Sequence, residues 1–153
     1  MEIYLSFHGA FQLNYHLVFC TKYRRKILNP GVVSYLKKLF PKVIEYVPGV
    51  SITTLGFDDT KPDHVHFEII IPPKYSISEV VSILKSKSSN SLRKKFLFIN
   101  KVRGYENKDC VWSVGYYVSS LGYDEIKVRK YIEWQGHQDL GQVKLNLLDS
   151  ANL

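Results

Sequence analysis

Residues 13–23 read LNYHLVFCTKY, and their side chains alternate in character along the chain. The larger apolar residues occupy every second position, with smaller or polar residues between them. A period of two, combined with this aromatic and β-branched content, is typical of a β-strand with one face in a core. Residues 13–23 are therefore predicted to form the first strand, which runs into a basic cluster at residues 22–26.

Helical and strand-like segments follow this strand. Asn29 and Pro30 suit the start of a helix whose apolar residues continue to Val47, with a kink or break expected at Pro41. The further predictions are strands at residues 50–57, 64–71 and 111–119, a helix from Ser76, a basic helix end or mobile loop at 85–95, and a last helix at 125–135 ended by Gly136. This order predicts an α+β fold of the ferredoxin-like, or RRM-like, type, with an antiparallel sheet and helices on one face.

The composition is that of one globular domain with excess positive charge. The chain has 153 residues, 45% of them apolar, and a formal net charge of +7. These values exclude a disordered chain and permit a polyanionic partner. Because apolar runs are far shorter than the ~18–20 residues of a membrane span and the start lacks a secretory signal, we expect a cytoplasmic protein without membrane contact. Cys20 and Cys110 are expected to be reduced core thiols.

A pair of histidines is the strongest chemical signal. Residues 63–66 read DHVH at the head of a predicted strand, where His64 and His66 share one face, roughly 6.5–7 Å apart, and Val65 points into the core. Two imidazoles so placed can bind one metal ion, although two histidines on a half-exposed strand can also lack a ligand. A zinc hydrolase would need further ligands. The other histidines, His8, His16 and His137, are not in an obvious position to supply them.

The last predicted helix carries a second signal. Tyr131 and Gln135 are four residues apart and therefore neighbours on one helix face, with Lys127 one turn earlier. Val128 and Ile132 mark the apolar face that docks the helix. Taken alone, this segment favours an amphipathic helix whose Tyr131 and Gln135 are merely solvated.

Together these segments resemble a known family. DHVH at residues 63–66, the Tyr131-x-x-x-Gln135 helix, NYHLV at 14–18 followed by KYRRK at 22–26, and VWSVGYYV at 111–118 resemble the single-tyrosine HUH transposases of the insertion-sequence 200/605 family. The likeness extends from about residue 13 to residue 136 in the family's order. Residues 1–136 are accordingly predicted to be the catalytic domain and residues 137–153 a polar C-terminal tail.

The resemblance implies a specific reaction. Family members cut and rejoin single-stranded DNA at element ends marked by hairpins, in prokaryotic cells. The tyrosine, here Tyr131 on the C-terminal helix, becomes joined to the 5′ phosphate. The two histidines and the glutamine, here His64, His66 and Gln135, hold a divalent ion, and such a nitrogen and oxygen donor set suits magnesium or manganese. Two chains form a homodimer in which each tyrosine helix completes the partner's site.

Supporting residues are less determined. Asp63 can either orient a metal ligand or shape its turn, and Lys127 is the nearest sequence candidate to favour the tyrosine phenolate. An alternative function is hairpin or single-strand nucleic-acid binding by a domesticated, non-mobile family member. The candidates for phosphate contacts form two basic clusters: Arg24, Arg25 and Lys26, and Lys85, Lys87, Arg93, Lys94 and Lys95.

Overall fold

A computed structural model describes residues 3–6, 9–102, 110–120 and 122–140. The three α-helices of this described part are α1 (Pro30–Val43), α2 (Ile77–Lys95) and α3 (Glu125–Asp139). Its six strands are β1 (Tyr4–Ser6), β2 (Gly9–Phe11), β3 (Asn14–Cys20), β4 (Ser51–Phe57), β5 (His64–Ile70) and β6 (Tyr117–Ser119). Short 3₁₀ turns occupy Lys22–Arg24, Ile44–Tyr46 and Leu97–Lys101. None of the described helices is both long and apolar enough to span a membrane.

The central sheet confirms the predicted fold class. Its four strands lie in the order β4-β5-β3-β6, and every neighbouring pair is antiparallel. The first and third strands of the sheet are therefore central, as in ferredoxin-like folds. A separate two-stranded hairpin, β1-β2, precedes the sheet and was not predicted.

The two faces of the sheet are covered differently. On one face, Leu17, Phe19 and Phe67 belong to the main core together with buried residues of α1 and α2. The other face bears Val18 and Cys20, which form a much smaller buried cluster with residues of α3. Because side chains alternate along a strand, residues 16, 18 and 20 of β3 face α3, whereas residues 17 and 19 face the main core.

Three N-caps confirm the predicted helix starts. The Oδ1 atom of Asn29 accepts from the Val32 N–H at 3.0 Å, and the Oγ atom of Ser76 accepts from the Glu79 N–H at 3.1 Å. The Oδ1 atom of Asp124 likewise accepts from the Lys127 N–H at 3.2 Å. Of the kink or break expected at Pro41, the break is excluded, since α1 continues to Val43 before it tightens into a 3₁₀ turn. Residues 85–95, left open between helix and loop, all belong to α2.

Two predicted boundaries differ from the structure. Only Tyr117–Ser119 of the strand predicted at residues 111–119 pairs with β3, apart from an isolated bridge between Thr21 and Trp112. Helix α3 does not end at Gly136 but continues to Asp139, and the predicted tail from residue 141 onward lies outside the described residues. Cys20 is buried as predicted, whereas Cys110 is exposed and is therefore not a core thiol.

Candidate active site

The two histidines of β5 share one sheet face, as predicted. His64 pairs in register with Cys20 of β3, and His66 pairs with Val18. Val65, between them, is fully buried in the main core. Since Val18 and Cys20 pack against α3, His64 and His66 lie on the α3 side of the sheet.

Asp63 contacts His64 and also shapes the turn before β5. The carboxylate is buried, and its Oδ1 atom accepts from His64 Nδ1 at 2.9 Å while Oδ2 accepts from Arg24 Nε at 3.3 Å. The Asp63 carbonyl also accepts from the Thr21 N–H at 2.8 Å, which ties the turn to the end of β3. With Nδ1 of His64 held in this way, Nε2 is the nitrogen left for another ligand.

His16 lies beside this pair, although the sequence had not placed it in an obvious position to supply a ligand. Its Nδ1 atom is 3.2 Å from Nε2 of His66, and the ring of Tyr123 lies 4.5 Å from the His66 ring, centroid to centroid. The signal that could have found His16 is its position two residues before Val18 on a strand that was already predicted. What the sequence did not indicate was the register of β3 on β5, which places His16 diagonal to His66.

Tyr131 and Gln135 are neighbours on α3, as predicted, but both are buried. The Tyr131 hydroxyl donates to Gln135 Oε1 at 3.4 Å, and the exposed fractions of the two residues are 4% and 3%. The Tyr131 ring lies between those of Tyr117 and Trp134, at centroid distances of 6.0 and 6.1 Å. Burial raises the pKa of the Tyr131 hydroxyl well above its ordinary value, so the docked phenol is neutral.

Within one chain, the tyrosine and the histidines occupy different parts of the same sheet face. His66 is on β5, whereas Tyr131 packs over β3 and near Tyr117 of β6. Val18 of β3 pairs in register with His66 on one side and with Tyr117 on the other. Tyr131 and Gln135 also face Gly115, where an added Cβ would lie 3.2 Å from the Tyr131 hydroxyl. The described contacts of Tyr131 are thus with β3, β6 and its own helix rather than with His64 or His66.

Comparison with known proteins identifies the family of this chain. A sequence model of the family described as "Transposase IS200 like" matches residues 9–135, a range that includes both histidines, Tyr131 and Gln135. The chain belongs to this transposase family.

Individual relatives agree with this assignment. The transposase for insertion sequence element IS200 of Salmonella typhimurium (strain LT2) is 33% identical over 132 residues, which cover 86% of this chain and 82% of that protein. The ISDra2 transposase TnpA of Deinococcus radiodurans is 29% identical over 127 residues, with coverages of 82% and 86%.

Solved structures also match the fold. A crystal structure of a protein described as a transposase from Deinococcus radiodurans R1 superposes with a TM-score of 0.72 at 26% identity, over 86% of this chain and 97% of that one. A REP-associated tyrosine transposase bound to a REP hairpin superposes with a TM-score of 0.51 at 14% identity, over 94% and 77%. At this lower identity the likeness establishes the fold alone.

Asp139 fixes the C-terminal end of α3 to the rest of the transposase. The sequence had placed this residue in the polar tail. The Asp139 carboxylate accepts from the Tyr23 N–H at 2.9 Å, from Gln135 Nε2 at 3.1 Å and from the hydroxyl of Ser113. These bonds join the last turn of α3 to the segments that contain Tyr23 and Ser113. Gln135 is therefore held between Tyr131 and Asp139.

Lys85 was a candidate for DNA contact, but its ammonium group has partners within the protein. Nζ donates to the carbonyls of Ser113, Val114 and Gly115 at 2.6, 3.2 and 2.7 Å, and the residue is only 8% exposed. Burial lowers the pKa of this ammonium. Lys85 thus holds the turn against which Tyr131 and Gln135 pack, and we do not include it among the proposed phosphate contacts.

We expect Lys85→Met to lower the free energy of unfolding by about 2–3 kcal/mol, because three carbonyls would lose a charged donor in a buried turn. Lys87→Met is the matched control, since Lys87 is exposed on the same helix with its ammonium 4.4 Å from the Tyr46 ring centroid. The control should change stability by less than about 0.5 kcal/mol. Urea denaturation measures both changes, and equal values for the two variants would contradict this role of Lys85.

The other basic candidates are at least partly accessible. Arg24 contacts Asp63, and the Arg25 guanidinium lies 5.6 Å from the Tyr23 ring centroid. Arg93 donates to Asn100 at 3.0 Å. The candidates with exposed side chains are Lys26, Lys87, Lys94, Lys95 and Lys127. Lys127 is therefore solvated in this state, whereas the Tyr131 hydroxyl is buried.

The histidine face provides two of the donor residues that a divalent ion would need. His64 and His66 lie on one face, and Asp63 leaves Nε2 of His64 free to bind. In the described ranges, no group of three or more His, Cys, Asp or Glu residues is arranged to hold a metal. An ion bound by the histidine pair would therefore need a donor of another type, and an amide oxygen such as that of Gln135 is suitable.

Proposed function

We propose that this transposase cleaves and rejoins single-stranded DNA at hairpin-marked element ends, with Tyr131 as the nucleophile. The observation that carries the proposal is the pairing of Tyr131 with Gln135 on a helix that packs on the same sheet face as His64 and His66. In this proposal the two histidines and Gln135 hold Mg²⁺ or Mn²⁺. The ion, when bound, supplies positive charge that polarises the scissile phosphate.

The chemical step is a transesterification that needs no external energy source. The Tyr131 oxygen forms a bond to phosphorus as its proton leaves, and the bond from phosphorus to the 3′ oxygen breaks. The products are a 5′-phosphotyrosine and a free 3′ hydroxyl, and attack by another 3′ hydroxyl reverses the step. A free phenol has a pKa near 10, so its ionisation at pH 7 costs about 4 kcal/mol. Lys127, one turn from Tyr131, remains the proposed cation that favours the phenolate.

We further propose a homodimer with two composite sites, in which α3 of each chain brings Tyr131 to the partner's histidines. Support comes from the docked state described above, in which Tyr131 faces Gly115 and Gln135. The apolar attachment of α3 is small, because its buried cluster includes only five residues, two of them from β3. Segments with few buried apolar contacts open at the lowest free-energy cost. Exchange of α3 between two chains would therefore cost little apolar contact, but it would also break the bonds from Asp139 to Tyr23 and Ser113.

The DNA contacts are proposed from charge and accessibility. Phosphates would meet two groups of side chains: Arg24, Arg25 and Lys26, and Lys87, Arg93, Lys94 and Lys95. We place the protein in the prokaryotic cytoplasm, where DNA and divalent ions are both available. The proposed catalytic unit ends near residue 136, although α3 continues to Asp139 and should be kept intact in any truncation.

We expect the affinity for hairpin-bearing single-stranded DNA to fall steeply with salt. Each phosphate contact releases about 0.9 counterion on a duplex and about 0.7 on a single strand, so five contacts would lower affinity by roughly 100-fold or more between 50 and 200 mM salt. Fluorescence anisotropy with a labelled hairpin substrate measures this slope, and duplex DNA of the same sequence is the control. Equal affinity for the duplex would contradict hairpin recognition.

Cleavage separates this function from simple binding. Incubation of the same labelled strand with Mn²⁺ should yield a covalent DNA–protein product on a denaturing gel, and chelation of the ion should prevent it. Tight hairpin binding without any covalent product would instead favour the alternative, a domesticated hairpin-binding protein.

A further inference from the structure

His66 has a hydrogen-bond partner that none of the proposed roles requires. His16 pairs in register with Glu68, so it is diagonal to His66 across the two central strands. The ring planes of His16 and His66 are within 1° of parallel, and their centroids are 5.4 Å apart. Because the two nearest nitrogens are only 3.2 Å apart, the rings meet edge to edge in nearly one plane. This is the geometry of an N–H···N hydrogen bond.

Each histidine of the pair has one ring nitrogen bound to a neighbouring side chain. Asp63 holds Nδ1 of His64, and His16 engages Nε2 of His66. A histidine that binds a metal through one ring nitrogen usually donates its other N–H to a fixed acceptor, which sets both the tautomer and the ring orientation. Tyr123 adds a second restraint, because its ring covers the His66 ring at 4.5 Å.

The register also indicates which nitrogen of His66 remains available. Along β5, Glu68 lies beyond His66 on the side away from His64, and His16 is opposite Glu68. The nitrogen that meets His16 therefore points away from His64. The other nitrogen, Nδ1, lies toward β4, where a Cβ built at Gly56 would be 3.7 Å from it.

We propose that His16 is a positioning residue of the metal centre: its Nδ1 accepts the Nε2 proton of His66 and leaves the Nδ1 lone pair of His66 for the ion. This inference rests on the proposed metal site at His64 and His66. His16 itself keeps its proton on Nε2 and does not bind the ion. Its contribution is to hold one tautomer and one ring orientation of His66 before the ion arrives.

Metal binding in the absence of DNA tests this role separately from activity. Loss of the second partner of a metal-bound histidine weakens binding by roughly 10–100-fold, and we expect this loss in the Mn²⁺ affinity of His16→Leu, measured by electron paramagnetic resonance. His16→Asn should remain much nearer to the wild type, because its amide oxygen can take the place of Nδ1. His137→Ala is the control, since it removes an exposed histidine from α3.

Three results would decide against the proposal. Wild-type Mn²⁺ affinity in His16→Leu would overturn the positioning role, and equal weakening in His16→Leu and His16→Asn would overturn the hydrogen-bond argument in favour of packing. His64→Ala should reduce Mn²⁺ binding most. If His64→Ala binds Mn²⁺ as the wild type does, the proposed metal site itself is wrong. If only the His16 variants bind as the wild type does, the metal site stands and the role of His16 is wrong. Thermal unfolding of each variant reports whether the fold has been retained.

Nitrogen-15 NMR of the metal-free protein gives an independent readout. In the wild type, the proton of the neutral His66 ring should reside on Nε2. In His16→Leu both tautomers should be populated, because the acceptor that selects one of them is gone. A wild-type His66 protonated on Nδ1 would contradict the assignment directly.

Discussion

Tyr131→Phe is expected to abolish the covalent DNA–protein product while hairpin binding and Mn²⁺ binding persist. The substitution removes only the hydroxyl, which makes one long hydrogen bond of 3.4 Å to Gln135 in the docked helix. Its loss should lower the free energy of unfolding by no more than about 1 kcal/mol. A denaturing gel with labelled strand measures the product, and the expected decrease is to background.

Tyr117→Phe is the matched control for this experiment. The two rings are 6.0 Å apart in the same cluster, so the control removes a neighbouring phenol and leaves the proposed nucleophile in place. Tyr117→Phe should still form the product. A covalent product that persists in Tyr131→Phe would show that another residue is the nucleophile.

Mixed dimers should recover cleavage from two inactive chains. One chain carries His64→Ala and His66→Ala, and the other carries Tyr131→Phe. If α3 completes the partner's site, a heterodimer contains one site with intact histidines and an intact tyrosine. Random mixing should then restore about a quarter of the wild-type activity, because half of the dimers are mixed and each has one complete site.

The control for mixing places all three substitutions in one chain. Mixed with the Tyr131→Phe chain, it should give no activity, because neither chain then carries Tyr131. A monomeric mass at micromolar concentration, or no recovery in the first mixture, would contradict composite sites and would favour a site completed within one chain.

Local sequence signals predicted the elements that carry the site. Asn29, Ser76 and Asp124 are short polar residues before apolar helical runs, and each makes the cap hydrogen bond that its position implies. The period of two placed His64 and His66 on one face, and the four-residue spacing placed Tyr131 beside Gln135. These relations depend on neighbours along one element, which is why sequence alone could supply them.

Side-chain contacts between elements were not available from the sequence. The alternating pattern at residues 111–119 predicted a strand, but the carbonyls of residues 113–115 are bound by Lys85, which comes from a distant helix. Lys85 itself was indistinguishable from Lys87 by composition, yet one is buried and the other exposed. His16 lies next to His66 because of the register between β3 and β5, which the predicted fold class did not specify.

The prediction that the last helix ends at Gly136 was wrong for a different reason. A glycine after a helical run often ends the helix, but here α3 continues because Asp139 fixes the following turn to Tyr23 and Ser113. An added Cβ at Gly136 would collide with the side chain of Arg24, so the glycine permits close packing rather than a helix end.

Mass spectrometry of the covalent product tests the central claim most directly. The wild-type protein is incubated with a hairpin-bearing single strand and Mn²⁺, digested with protease and nuclease, and searched for a peptide that carries a 5′-linked nucleotide. We predict that the modified peptide contains Tyr131 and that fragmentation places the phosphate on its oxygen. A nucleotide attached to any other tyrosine, or to a serine, would contradict the account.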